Sequence, residues 1–503
     1  MKKKLGLVLC ATAASLLAQA PTITAVVNTE SPTANTLLCP GILATIYGTG
    51  FGTTASGVSV TVGTSTAYVE PVTGAVTPNQ MNIQLPYNVP VGPTTVVVTV
   101  AGSSSAPFDI TLQAVAPTIG VALGYGEFLD PKGNYLSSSN LATPGEVLEM
   151  YPTGLGPTTP AIAAGVTPSG QKTATLPTVT VAGVQATVLS ATLSPYAGLY
   201  QVNFMLPKNV QGTVPVTLSI DGETSNSVML PITGISAIVS GASFVNTNTV
   251  TPGEIVSLFA NGLGSNDQLN AFPATSAQGV SVTFNGIAAP IFDLVTENSQ
   301  INLIVPAELP TTGTVQVQLT TPTFTTANFP LVMSAAVPGI FLTNDPANAM
   351  ADIAAAQFAN TVWVVTPTSA ATALNLPQNC TVSSANPLSA CAQPAAPGDY
   401  LVLYVTGLGE ATPNGESSGT PLATGVVAPA DGSILYETVA TPTVQIGGTP
   451  VTVLFSGIAP GTAGEYQIDF QVPTGVTEGD SVPITVSMPG STTGTATLAI
   501  HSR

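Results

Sequence analysis

Gly415-Glu416-Ser417-Ser418-Gly419 matches the Gly-x-Ser-x-Gly pattern of a serine nucleophile, and Asp431, Asp469 or Asp480 with His501 would follow in hydrolase order. A nucleophilic serine of this kind needs a strand before it and a helix after it. Here Thr412-Pro413-Asn414 precedes and Thr420-Pro421 follows, so the segment reads as a surface loop. Glu146, Glu254 and Asp399 each follow a Pro-Gly pair, a shared position that could serve a cation. The first copy has Ile42 there, and no Asp-x-Asp spacing surrounds the others, so solvated carboxylates at strand starts are expected. Asp130-Pro131-Lys132-Gly133-Asn134 reads as a turn. Asn82, Asn203, Asn302 and Asp469 share a second repeated position, where a structural hydrogen bond to a neighbouring turn is expected. Trp363, the single tryptophan, lies in an alternating stretch and is expected to pack against a sheet rather than to form a sugar-stacking platform. No catalytic, cofactor-binding or metal-ligating residue is assigned from these patterns.

The composition narrows the classes further. Only 6% of the 503 residues are charged, and His501 is the single histidine, which leaves little material for acid–base chemistry or a histidine-built metal site. The net charge is −18, and phosphate binding needs clustered Lys and Arg, so nucleic acid is excluded as a partner. The 48 Gly and 44 Pro amount to about 18% of the chain, below the roughly 25–30% of disordered chains.

The first twenty residues read as an export signal. Lys2-Lys3-Lys4 forms a charged start, residues 5–17 a short apolar run, and Ala18-Gln19-Ala20 a small-x-small cleavage pattern. Cleavage after Ala20 places Pro21 first in the mature chain, and cleavage after Ala18 is the alternative. The bulky Leu9 before Cys10 argues against a lipoprotein. Without the three lysines, four basic residues face 25 acidic ones, a net charge of about −21. No later stretch is long and apolar enough to span a bilayer; residues 347–365 come closest, but Asp352, Gln357 and Asn360 interrupt them. The chain is therefore expected to be secreted or held at the cell surface. In such an oxidising compartment Cys380 and Cys391, close together in a Pro/Ser/Asn-rich loop, are expected to form a disulfide. Closing that loop of about twelve residues contributes roughly 2.5–3 kcal/mol. Cys39 is left over, as a buried small apolar residue or, alternatively, an intermolecular link.

The elements that position these residues come from a fourfold repeat. Pro40-Gly41, Pro144-Gly145, Pro252-Gly253 and Pro397-Gly398 are each followed by a Gly-x-Gly, at Gly50, Gly154, Gly262 and Gly407. The spacing from proline to first glycine is ten residues every time, one strand with its bends. A second signature follows: Gln80-Met81-Asn82, Gln201-Val202-Asn203, Gln300-Ile301-Asn302 and Gln467-Ile468-Asp469, each leading to a proline. Its alternating apolar residues, such as Ile468, Phe470 and Val472, give the period of a half-buried strand, which the proline stops. A last strand is expected over 96–100, 216–220, 315–319 and 484–488, with a Gly-tipped hairpin between the two signatures. Many short strands, frequent turns and no long amphipathic helix describe antiparallel β-sandwiches.

Pro21-Thr22-Ile23-Thr24-Ala25, followed by Ile46-Tyr47-Gly48-Thr49-Gly50-Phe51-Gly52, resembles the start of an IPT/TIG domain, an immunoglobulin-like β-sandwich. Residues 235–503 resemble the uncharacterised Solibacter-type C-terminal domain of secreted acidobacterial proteins. The resemblance rests on Ser240-Gly241-Ala242-Ser243-Phe244, Pro252-Gly253-Glu254-Ile255-Val256, Pro397-Gly398-Asp399-Tyr400, Thr406-Gly407-Leu408-Gly409 and Gly464-Glu465-Tyr466-Gln467-Ile468. It implies no catalytic residue and no cofactor; paired with immunoglobulin-like folds it implies binding, adhesion or spacing. The expected architecture is all-β: four tandem immunoglobulin-like sandwiches at 21–115, 116–234, 235–335 and 336–503 after a 1–20 signal, the last with a loop insertion. They form two repeated two-domain blocks. The expected function is a non-catalytic exported surface module whose partner is an extracellular protein or polysaccharide. A carbohydrate-binding protein is the alternative, and a secreted serine hydrolase the least favoured reading.

Overall fold

The structure is a computed structural model that describes residues 20–31, 37–196, 198–246, 248–343, 352–378, 380, 390–491 and 493–503. The export signal expected over 1–20, with Lys2 to Lys4, Cys10 and Ala18, lies outside the described residues except for Ala20. Among the described residues the chain is strand and turn, apart from one six-residue α-helix, Thr368–Ala373, and one 3-10 turn, Thr296–Asn298. No helix among them is long and apolar enough to cross a membrane. The chain divides into two compact units, Met1–Pro231 and Ile232–Arg503.

In the first unit one sheet runs in the order Thr22–Asn28, Leu43–Thr49, Gln80–Gln84, Tyr68–Val69. A second runs Phe108–Leu112, Gly92–Val100, Val58–Val62, Ser65–Thr66. Their facing residues, Ile46, Met81 and Ile83 on one and Val60, Val62, Val96 and Val98 on the other, are fully buried in one core. The rest of this unit holds two two-stranded sheets and a ten-stranded sheet in which the long strand Val184–Leu193 pairs with both Tyr200–Met205 and Thr178–Val181. In the second unit, two five-stranded sheets enclose Val256, Leu258, Leu303, Val282, Phe284 and Val317. A nine-stranded and a six-stranded sheet enclose Leu401, Leu403, Phe470, Ile446, Ile484 and Leu498. Alternation along strands such as Phe108–Leu112 and Thr314–Thr320 puts one face on a core and one toward solvent, the pattern of antiparallel sheets packed in pairs.

The two repeated signatures recur together because they are neighbours. Leu43–Thr49 pairs with Gln80–Gln84, Val147–Met150 with Tyr200–Met205, Ile255–Asn261 with Gln300–Ile304, and Tyr400–Thr406 with Tyr466–Gln471, all antiparallel. Each Pro-Gly is the centre of a turn: Glu254 N–H donates to Thr251 O at 3.2 Å, and Gly253 has φ 78°. A proline then a positive-φ glycine is a type II turn, which excludes side chains larger than glycine at the second position without strain. The turn is clipped to the end of the partner strand, with Gly253 N–H on Val305 O and Val305 N–H on Glu254 O, both at 2.9 Å. The same pair of bonds joins Gly41 and Ile42 to Leu85, Gly145 and Glu146 to Leu206, and Gly398 and Asp399 to Val472.

Two expectations need correction. The strands expected to be last are Gly92–Val100, Gly212–Ile220, Thr314–Thr320 and Gly479–Ser487, and each pairs with a strand still further along the chain: Phe108–Leu112, Val228–Ile232, Phe329–Met333 and Thr493–Ile500. The repeated Asn/Asp position shares a bond along its own strand. Residues two apart share a strand face, and there the Gln Nε2 donates to the Asn or Asp Oδ1: Gln201 to Asn203 at 3.0 Å, Gln300 to Asn302 at 2.7 Å, Gln467 to Asp469 at 3.2 Å. Where the facing strand carries a hydroxyl it joins in, Thr45 to Asn82 at 3.1 Å and Ser257 to Asn302 at 2.7 Å.

Candidate functional site

The hydrolase-like motif does not assemble. Ser417 lies in turns closed by Gly415 N–H on Thr412 O and Gly419 N–H on Glu416 O, and it makes no hydrogen bond to His501. The His501 imidazole meets Asp480 at 2.8 Å, Asp431 accepts the Ser433 N–H, and Asp469 pairs with Gln467. Asp130 is the centre of the expected turn, accepting N–H groups of Lys132 and Asn134, which hold its carboxyl down at about 2.

The acidic residues after Pro-Gly share one role. Glu146 accepts the N–H of Thr143, Glu254 that of Thr251 and Asp399 that of Ala396, so each carboxylate caps its own turn. Glu146 and Asp399 are partly exposed, but Glu254 is fully buried, which corrects the expectation of a solvated group. The physical reason is tertiary. The segment 406–409 lies across this turn, with Thr406 Oγ1 accepting the Ile255 N–H and donating to Gly464 O, both at 2.9 Å. Desolvation pushes the Glu254 carboxyl up to about 8, against the opposing pull of the Thr251 N–H. Tyr466, also buried, donates to Gly409 O at 2.5 Å. The first unit repeats the tyrosine contact, with Tyr200 donating to Gly156 O over a turn that carries Cys39 and Ile42 in place of Thr251 and Glu254. Burial lifts the Cys39 thiol to about 12, which makes it inert and leaves no surface for an intermolecular link.

Cys380 and Cys391 are joined by a disulfide. Thiol labelling of the denatured, unreduced mature protein should find one reactive cysteine, Cys39; three reactive thiols would contradict this pairing.

The largest assembly of chemically capable side chains was not visible as a motif. The sequence has one His, one Trp and one Arg, and the fold brings His501, Trp363 and Arg503 to a single cavity of about 870 Å³ in the second unit. A tight turn after Ala356–Phe358 places Trp363, whose ring meets Phe358 edge-on with centroids 6.2 Å apart. The Val364–Val365 strand continues into a parallel pair with Ala392–Gln393. Ala395 then bridges the two sheets, donating to Ala499 O and accepting from His501 N–H. That bridge holds His501 and Arg503 beside Asp399 and Asp480, which sit near the starts of their strands. Arg503 Nη2 donates to Asp399 at 2.6 Å and to Pro394 O at 3.3 Å, and its guanidinium stacks 5.3 Å above the Phe358 ring. Gln393, buried under the cavity, accepts the Cys380 N–H at 2.9 Å. Trp363 is buried as expected, but its indole N–H has no acceptor among the described residues. Rarity of residue type was the one signal in the sequence that singled out these positions.

Two further features lie apart from it. A cavity of about 220 Å³ in the second unit is lined by Leu309, Ala411, Leu422 and Tyr466, and falls below the usual size of a ligand pocket. In the first unit Tyr135, Tyr151 and Tyr196 cluster at one surface. Burial and the adjoining Glu149 push the Tyr151 phenol up to about 12, and the Tyr196 and Tyr135 hydroxyls add to this. Among the described residues no three His, Cys, Asp or Glu side chains converge as a metal site would require.

The fold thus defines an all-β protein of tandem immunoglobulin-like sandwiches. An IPT/TIG domain family model matches residues 21–113. No curated protein sequence matches the chain. Among solved structures it is similar to the plexin A4 full extracellular region, at 11% identity and TM-score 0.26, covering 96% of this chain and 31% of that one. It is similar to SGBP-B of the Bacteroides ovatus mixed-linkage glucan utilization locus, in complex with a heptasaccharide, at 14% identity and TM-score 0.17, covering 65% and 74%. It is also similar to the Escherichia coli adhesin FdeC, at 13% identity and TM-score 0.16, covering 63% and 96%. The chain spans about a third of the plexin region.

Proposed function

We propose that this protein is an exported, non-catalytic binding protein of the cell surface or extracellular space. Its mature chain would be four sandwiches, 21–115, 116–234, 235–335 and 336–503, with residues 235–503 forming a Solibacter-type domain. The single observation that carries the reading is the cavity around Arg503. Its polar groups pair with one another: Arg503 with Asp399, the His501 imidazole with Asp480, and Ser502, which donates to Glu478. Such paired groups suit recognition, where a few placed polar groups in a cavity of this size orient a ligand. The partner is an extracellular protein or polysaccharide.

The test has two parts. Expressed from residue 1, the protein should be recovered outside the cytoplasm with a mass set by cleavage after Ala18 or Ala20. The mature protein should be retained by extracellular polymer and lose retention in Arg503→Ala. Cytoplasmic retention of the full-length chain, or esterase or amidase turnover lost in Ser417→Ala, would contradict the reading.

A further inference from the structure

We infer that the cavity beside Trp363 and Arg503 binds a neutral oligosaccharide, a ligand class that rests on the binding reading above. The volume of about 870 Å³ lies within the range of small-molecule sites. Phe358 and Trp363 lie beneath the cavity, both buried, with the Arg503 guanidinium over the Phe358 ring. The walls carry planar, fork-shaped polar groups. Arg503 uses one nitrogen for both of its hydrogen bonds, so the rest of its five N–H donors remain for a ligand. Asp399, Asp480 and His501 add oxygens and a ring nitrogen. Vicinal hydroxyls, each both donor and acceptor, match such forks. The indole N–H of Trp363, a residue lining the cavity, is a buried donor with no acceptor among the described residues, which is costly.

Charge decides against polyanionic extracellular polymers. The Arg503 cation is already neutralised by Asp399, and Asp480 faces His501, so the cavity holds no surplus positive charge for a uronate or phosphate. The chain as a whole, at −18, repels polyanions. A cationic ligand would compete with Arg503 for Asp399 and with His501 for Asp480.

Trp363 is the only tryptophan, so its emission reports this cavity directly. The full mature protein should be titrated with cellohexaose, xylohexaose, mannohexaose and hexagalacturonate, read by tryptophan emission and calorimetry. At least one neutral sugar should give a saturable emission change, and hexagalacturonate none. Arg503→Ala and Asp480→Asn, the latter at a side chain 60% exposed that folding does not depend on, should each weaken binding by roughly tenfold or more. The inference is overturned if no neutral sugar binds, if hexagalacturonate binds more tightly, or if both variants bind like the parent. Arg503-dependent retention of an extracellular protein with no sugar bound would overturn the ligand class and leave the binding reading standing; no retention of either kind removes both.

Discussion

Glu254→Gln should flatten the fall in stability of the second unit between about pH 4.5 and pH 8, the window set by its ordinary carboxyl value and its buried one. In the unfolded chain Glu254 releases its proton near 4.5, whereas in the fold burial holds the proton until about 8. Within that window the folded state binds the extra proton, so its contribution is full below the window and is lost as pH rises through it. At about 1.36 kcal/mol per pH unit, the loss is on the order of 4–5 kcal/mol. Glutamine keeps the oxygen that accepts the Thr251 N–H and carries no titrating proton. Glu465 and Asp469, also raised by burial, have the same sign, so the variant keeps a shallower slope. Urea unfolding followed through Trp363 emission measures this directly. Parallel pH profiles for parent and variant would mean that Glu254 is hydrated in solution.

Gly407→Ala should destabilise the same unit by about 2–4 kcal/mol, from a left-handed backbone and a clash that neither side can relieve cheaply. A Cβ there would lie 2.1 Å from Val337 O, and the residue has φ 73°. Val337 cannot withdraw, because its N–H donates to Gly407 O at 2.9 Å. Gly154 is placed alike in the first unit, 1.9 Å from Ala116 O, and Gly154→Ala should behave similarly. Gly264→Ala is the comparison: φ is 97°, but nothing lies within 4 Å of its Cβ, so only the backbone term of about 1 kcal/mol remains. Equal shifts in thermal midpoint for Gly407→Ala and Gly264→Ala would show that the close approach to Val337 is not maintained in solution.

Much of the fold was legible because its signals are local. Pro-Gly sets a type II turn by the ring of one residue and the missing Cβ of the next, and alternation of apolar residues sets which face of a strand is buried. The Cys380–Cys391 bond followed from short spacing in an oxidising compartment. The cavity was not legible in the same way. Phe358, Trp363, Asp399, Asp480, His501 and Arg503 come from four separate stretches, and the bridge from Ala395 to the 499–501 strand end helps bring them together.

Glu254 and Asp399 show where the division falls. Pattern alone determined that each follows a Pro-Gly turn and that its carboxylate stands at a strand start, because that geometry is fixed by four consecutive residues. Tertiary structure alone decided their environments. Asp399 meets Arg503 in a partly exposed pair, whereas Glu254 is sealed under 406–409 and 464, segments more than 150 residues away in sequence. Turn chemistry acts over a few bonds and is written in neighbouring residues. Desolvation depends on which distant surface arrives on top, and no local pattern encodes that.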